Sequence, residues 1–270
     1  MQEFAKFLCV RKGLQPVTVS GHCKAVERIS RRLGTLDITQ PQAEDFIFNL
    51  YQSGYSYTHK TNQVKALEYW FEYRGATVRF GRQRKPRPLL KQTLTEAEVT
   101  RMLFCCHTPR ERAILGLLAY TGLRPKELCN VKVCDFDFGS NSLRVIQGKG
   151  MVDSTVYVSA ACIRLVLQYL SAYPRLPDQL LFSTFDNLRP LNSGCLRKLC
   201  KVLARRAQLT KRVYPYLMRH SLATNLINRG ANILLVKKQL RHAWIETTML
   251  YIHSQLGIKN EFEQFAPSYE

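Results

Sequence analysis

No run of about 18 or more uncharged apolar residues occurs in the 270-residue chain, so a conventional membrane-spanning helix is excluded. The N-terminus, M-Q-E-F-A-K-F-L-C-V-R-K, has no basic stretch ahead of an apolar one and no small-residue cleavage site, and secretion is not expected. No C-x-x-C pair occurs among the nine cysteines, which speaks against a zinc site or a thiol-redox motif. Odd in number and scattered from Cys9 to Cys200, they suit reduced thiols in a cytosolic chain, many of them in the core. Internal repeats and low-complexity tracts are lacking too. Acidic residues are scarce: 20 Asp and Glu face 40 Lys and Arg, a formal charge of +20.

What is present is a foldable, basic chain. Its 46% hydrophobic residues supply a packed core and exclude intrinsic disorder. A pI near 9.8 in such a chain points to a polyanionic partner, of which nucleic acid is the commonest. Residues 1–90 hold 15 basic and 7 acidic residues, and the remainder 25 and 13. Both halves are basic, as expected if both face one phosphate backbone.

Periodicity divides the chain into two domains and a connector. Residues 1–80 read as four short helices: Phe4, Phe7 and Leu8 share a face, Val19, Cys23, Val26, Ile29 and Leu33 form a second stripe closed by Gly34, a third helix starts near Thr39 and carries Phe46, Ile47, Leu50 and Tyr51, and a fourth carries Val64, Leu67 and Phe71 to Gly75. Residues 81–92 form a basic linker with Gly81, Pro86 and Pro88, in which Arg82, Arg84, Lys85 and Arg87 are candidate DNA-backbone contacts. The domain 93–270 opens on Thr95 and Glu98 at capping-box spacing, followed by a helix from Pro109 to Gly122. Alternation around 136–138, 143–146 and 155–158 predicts a three-stranded antiparallel sheet with Lys149 at its second turn. Helices follow over 160–172, 193–207, 218–229 and 233–240, with a short piece containing Tyr251. The fold class is mainly α (α+β).

Two arginines stand in unusual settings. Arg124 follows a helix end in A-Y-T-G-L-R-P-K-E-L, with Glu127 three residues on, and Arg219 falls at an expected helix start in Y-P-Y-L-M-R-H-S-L-A-T. A guanidinium opposes the macrodipole there but suits an anion that the N-terminus also attracts, which implies a phosphate site. Taken singly, either arginine has the ordinary reading of a surface or salt-bridge residue.

Taken together with L-R-H-A-W-I-E-T-T-M-L-Y-I-H, the set Y-T-G-L-R-P-K-E-L, G-K-G and P-Y-L-M-R-H-S-L-A-T-N-L resembles the tyrosine recombinase (phage integrase) family in order and separation. The N-terminal helices also resemble the family's core-binding domain. The resemblance implies a site-specific recombinase that cuts and rejoins duplex DNA through a 3'-phosphotyrosyl intermediate. It makes Tyr251 the nucleophile, Arg124 and Arg219 the phosphate clamp, Lys149 the acid for the leaving 5'-hydroxyl and His242 a neighbour of the phosphate. Glu127 matches an acidic supporting residue, and His220 a position more structural than catalytic. No metal, nucleotide or other cofactor is implied, because bond energy is kept in the phosphotyrosine.

These residue types suit the chemistry on their own terms. A phosphodiester gains negative charge as it becomes pentacovalent, so fixed bidentate cations bind that state more strongly than the ground state. The leaving alkoxide needs a proton, which a lysine can give, whereas tyrosine must lose one.

Two positions depart from the family pattern. Tyr216 stands where P-H-x-x-R has its histidine; a phenol can donate to a phosphate oxygen but carries no positive charge. Arg241 stands where glycine is frequent, and either contact with the DNA backbone or exposure to solvent is open to it. Starting at the core-binding helices, the chain is expected to use simple crossover sites, as Xer-like, Cre-like or plasmid-resolving enzymes do. Expected partners are double-stranded DNA and further copies of the chain, a tetramer on paired sites joined through the tail residues Leu256, Ile258, Phe262 and Phe265. The expected location is the cytoplasm, with the DNA. A type IB topoisomerase and a catalytically silent DNA-binding relative, the latter motivated by Tyr216, are the alternatives.

Overall fold

The computed structural model describes residues 1–86, 92–146, 153–184 and 189–241. Lys149, His242, Tyr251, Arg87 and the apolar tail residues lie outside them. Two compact units divide the chain at Leu89 and Leu90.

In the N-terminal unit, α1 (Gln2–Val10), α2 (Pro16–Leu33), α3 (Gln40–Gln52) and α4 (Tyr57–Tyr73) bury Phe4, Leu8, Val26, Ile29, Leu50, Val64 and Leu67. The expected boundaries hold for physical reasons. Proline stands in the first turn of α2 and α3, and Gly34 takes the left-handed conformation, φ 75°, that stops α2. Phe4 meets Trp70 edge to face at 5.1 Å, joining α1 to α4. Phe80, Gly81 and Arg82 are tied back to this unit: the buried Glu68 accepts from the Phe80 N–H at 3.4 Å and from Arg82 at 2.8 Å, and the Tyr51 hydroxyl donates to the Gly81 carbonyl.

The C-terminal unit is built around α6 (Pro109–Thr121), whose residues from Ala113 to Ala119 are all buried. A helix apolar all round must be covered on every side. Its neighbours are α5 (Glu96–Phe104), α7 (Pro125–Asn130), α8 (Ala160–Ala172) and α10 (Pro215–Asn228). Gly116 lets α8 approach closely, since a Cβ there would stand 2.7 Å from Leu165 Cδ1. Thr95 and Glu98 cap α5 reciprocally, at 3.2 and 2.8 Å. The start of this unit is pinned to α10, where the buried Ser221 hydroxyl accepts from the Leu94 N–H at 2.8 Å.

A short 3-10 turn, Val133–Asp135, leads into an antiparallel sheet of β1 (Phe136–Asp137), β2 (Ser142–Val145) and β3 (Ser154–Tyr157), in that order. Phe136 pairs with Leu143, and Leu143 with Val156, so the apolar residues share the inner face. The α9 (Ser193–Arg206) and α11 (Ile233–Leu240) helices complete the unit. Thus the fold class is mainly helical with a small antiparallel sheet, as the sequence implies. One boundary differs in a way that matters: α10 starts at Pro215, not Met218, because proline occupies its first turn and Tyr214 is the N-cap.

Candidate active site

The fold brings four chain segments to one place: the end of α6, the start of α7, the second turn of α10 and the end of α11. Gly122 makes the first turn possible. Its φ is 65°, and a Cβ would sit 2.5 Å from Leu240 Cδ2 and 3.2 Å from Leu222 Cδ2. A left-handed glycine therefore ends α6 and lets α11 and α10 close against the turn that leads to Arg124.

Arg124 is the N-cap of α7, and Glu127 is the residue three places on. Its backbone N–H donates to Glu127 Oε2 at 2.6 Å, its Nη1 to Oε1 at 2.7 Å, and its Nη2 to the Arg241 carbonyl at 3.2 Å. A third of the side chain remains exposed.

Arg219 is placed differently from the sequence expectation. Because α10 begins at Pro215, Arg219 lies a turn inside the helix and only 4% of it is exposed. Instead of its own helix N-terminus it meets the C-terminus of α11, donating Nη1 to the Gly122 carbonyl and Nη2 to the Leu240 carbonyl. The last carbonyls of a helix lack internal partners and carry its negative pole, which is where a buried guanidinium is most stable. Arg219 and Arg124 thus converge on consecutive carbonyls, Leu240 and Arg241.

Arg241 takes neither orientation left open by the sequence. Its backbone is left-handed, φ 55° and ψ 48°, which turns the side chain inward to 3% exposure. There Nη2 donates to Glu127 Oε2 at 2.6 Å and Nη1 to the Gln239 carbonyl at 3.1 Å. A direct DNA contact from this side chain is not what this arrangement presents. Burial, the largest influence on Glu127, pushes its carboxyl up, but the Arg241 charge and the hydrogen bonds from Arg124 outweigh it, and the group lies below its ordinary value. For Arg241 burial dominates and lowers its pKa, partly offset by Glu127.

Tyr216, in the first turn of α10, is half exposed, so it does not point into the core. His220 is half-buried next to Arg219 on α10. Of the basic connector, Arg84 and Lys85 are exposed, whereas Arg82 spends part of its charge on the buried Glu68. The last strand, β3, is held to α11 by Gln239, whose amide accepts from the Tyr157 N–H at 3.2 Å and donates to its carbonyl at 2.8 Å. Burial pushes Cys106, Cys162 and Cys200 up to about 12 and Cys129 to about 11, which leaves these thiols protonated and unreactive.

One feature escaped the sequence reading. Arg197, Lys198, Lys201 and Arg205 of α9 line a groove with Lys211 and Arg212 that leads to Tyr214. The signal was the four-residue spacing of 197, 201 and 205, opposite the buried stripe of Leu196, Cys200 and Leu203. Counting charge by halves of the chain does not resolve it.

Comparison with known proteins agrees with this architecture. Residues 92–256 match the family model described as the phage integrase family. The chain is 32% identical over 219 residues to tyrosine recombinase XerA of Pyrococcus furiosus, covering 78% of this chain and 76% of that one. It is 25% identical over 268 residues to a tyrosine recombinase of Pseudothermotoga lettingae, covering 94% and 93%. Among solved structures, the fold matches a XerA recombinase with a TM-score of 0.60 at 24% identity, over 99% of this chain and 98% of that one. It matches the Tn1549 transposon integrase in complex with circular intermediate DNA with a TM-score of 0.73 at 20% identity, over 98% and 99%. With its family model matched over more than half its length, the chain belongs to the phage integrase family, the tyrosine-type site-specific recombinases.

Proposed function

We propose that this chain cleaves and rejoins duplex DNA, with Arg124 and Arg219 as the phosphate clamp, Tyr216 as a further donor, Lys149 as the acid, His242 beside the phosphate and Tyr251 as the nucleophile. The observation that carries the reading is the convergence of Arg124 and Arg219 on the end of α11, the point from which the chain runs on to His242 and Tyr251. The Tyr251 hydroxyl gives up its proton to solvent as its oxygen attacks phosphorus, the bond to the 5'-oxygen breaks, and the Lys149 ammonium donates a proton to that oxygen. Two guanidinium forks stabilise the added charge on the non-bridging oxygens. Glu127 orients Arg124 without touching the phosphate, and His220, half-buried on α10, has a structural rather than a catalytic role.

Duplex DNA is held along its backbone by the exposed Arg84 and Lys85 of the connector, with Arg82 and Arg87, and by the cationic groove of α9. The domains are the helical core-binding unit 1–80, the connector 81–92 and the catalytic unit 93–270. Tail residues Leu256, Ile258, Phe262 and Phe265 join subunits into a tetramer on paired sites. An apolar groove of about 680 Å³ lined by Tyr120, Val156, Tyr157, Leu222, Leu226 and Leu235 supports that assembly, since it offers a place for such a tail. The enzyme acts in the cytoplasm, where the DNA is. The recombinases among its relatives favour this activity over the topoisomerase alternative.

The test is cleavage of a nicked suicide duplex, together with binding, by Arg124→Ala and Arg219→Ala. Each should slow cleavage about 100-fold or more while binding stays within a few-fold. Wild-type cleavage by either variant would remove it from the clamp.

A further inference from the structure

Arg241 is an unlikely residue for its place. It adopts a left-handed backbone that glycine takes without cost, its cation is buried, and its Nε has no partner among the described residues. What offsets these costs is one carboxylate. Glu127, 10% exposed, accepts from Arg124 Nη1 on Oε1 and from both the Arg124 backbone N–H and Arg241 Nη2 on Oε2, and the Arg241 carbonyl accepts from the other arm of Arg124. The contacts close a ring: Arg124 to Glu127, Glu127 to Arg241, and Arg241 back to Arg124. With the Arg241 side chain removed, Glu127 would be a buried carboxylate with one cationic partner, held by Arg124 alone through its backbone N–H and Nη1, and the plane it sets for Arg124 would be less firmly fixed.

We propose that Arg241 is a positioning residue for strand cleavage, which holds the Glu127 carboxylate through Oε2 and so helps to fix the Arg124 guanidinium that grips the scissile phosphate. This rests on the assignment of Arg124 to the phosphate clamp. The role needs no contact between Arg241 and DNA, in keeping with its burial. It also couples the end of α11, and thereby the segment that begins at His242, to the start of α7.

The charged groups bonded to Glu127 are Arg124 before α7 and Arg241 after α11. No charged side chain of α6 or α9, the other helices packed on α7, bonds it among the described residues. Arg219 on α10 is bonded to the Gly122 and Leu240 carbonyls. Loss of Arg241 removes the largest influence that lowers the Glu127 carboxyl, which therefore moves up, although Arg124 still holds it down against burial.

The experiment is single-turnover cleavage, between pH 5 and 9, of a nicked suicide duplex whose site is first captured covalently by wild-type protein from a random-sequence library. Arg241→Gly, which also relieves the left-handed backbone, should bind normally and cleave about 10- to 100-fold more slowly. Its acid limb should move to higher pH than that of wild type. In a Glu127→Gln background the same substitution should cost nothing further, because the residue through which it acts is already neutral. Arg241→Met, which keeps the side-chain volume, answers the same question if circular dichroism shows the glycine variant misfolded. Wild-type rates in the glycine or methionine variant, or losses that add to those of Glu127→Gln with the acid limb unmoved, would overturn the proposal. Arg124→Ala run alongside separates the two claims: full activity there defeats the clamp itself, whereas an inactive Arg124→Ala beside a fully active Arg241→Gly defeats only the role of Arg241.

Discussion

Arg219 and Arg124 end on consecutive carbonyls, Leu240 and Arg241, so one helix terminus orients both guanidinium groups of the proposed clamp. They come from different helices, and their relation is purely tertiary. Gly122 is the hinge of the arrangement, because it ends α6, gives Arg219 its second carbonyl and places Arg124 two residues later.

Gly122→Ala should therefore damage both fold and site. The left-handed φ and the 2.5 Å approach of Leu240 together should cost about 2 to 4 kcal/mol, seen as a lower urea midpoint. Cleavage by the fraction that stays folded should fall as well, since the strained turn itself carries the Gly122 carbonyl that accepts from Arg219. An alanine variant as stable as wild type would contradict this account of the turn.

Glu127 predicts a pH dependence of stability. Its carboxyl lies below the ordinary 4.5 in the folded protein, so the unfolded chain takes up its proton first as the pH falls. The stabilisation is fully present above the ordinary value and is lost as pH drops through the lower folded value. Glu98, held down by Lys211 and Thr95 despite its burial, acts in the same direction. Urea midpoints should then show wild type more stable than Glu127→Gln at pH 7, with the gap narrowing below about 4.5. A gap independent of pH would mean that the charge of Glu127 contributes nothing.

Tyr216 is half exposed on the helix turn before Arg219, in keeping with a donor to phosphate. Tyr216→Phe should lose about 1.5 to 3 kcal/mol of transition-state stabilisation, or roughly 10- to 150-fold in cleavage rate, with binding almost unchanged. Single-turnover cleavage at full speed by the phenylalanine variant would take Tyr216 out of the site.

Lys149→Ala should slow cleavage strongly on ordinary DNA but little on DNA with sulfur at the 5'-bridging position, because a thiolate leaves without a proton. Equal slowing on both substrates would assign the proton to another residue.

Local chemistry made much of the helix pattern legible. Pro41 and Pro109 mark helix starts, Gly34 and Gly122 mark stops, and Thr95 with Glu98 marks a cap, all through contacts within a few residues. The start of α10 is less legible from periodicity, which becomes regular only at Met218, although Pro215 in its first turn is the same start signal as Pro41 and Pro109. Which partner a long cation chooses was not legible at all. Arg219 meets a helix C-terminus, Arg241 folds inward to Glu127, and Arg82 binds Glu68, each set by distant segments rather than by neighbours in sequence. The motifs of the proposed site could be named from the sequence, whereas the buried ion-pair ring behind Arg124 could not.

Covalent capture tests the central claim most directly. Wild-type protein incubated with the nicked suicide duplex, digested and analysed by mass spectrometry should yield one DNA-linked peptide, joined through the oxygen of Tyr251 to a 3'-phosphate. Tyr251→Phe should bind the same DNA and form no adduct. A link at any other residue, or an adduct that persists in the phenylalanine variant, would contradict the account.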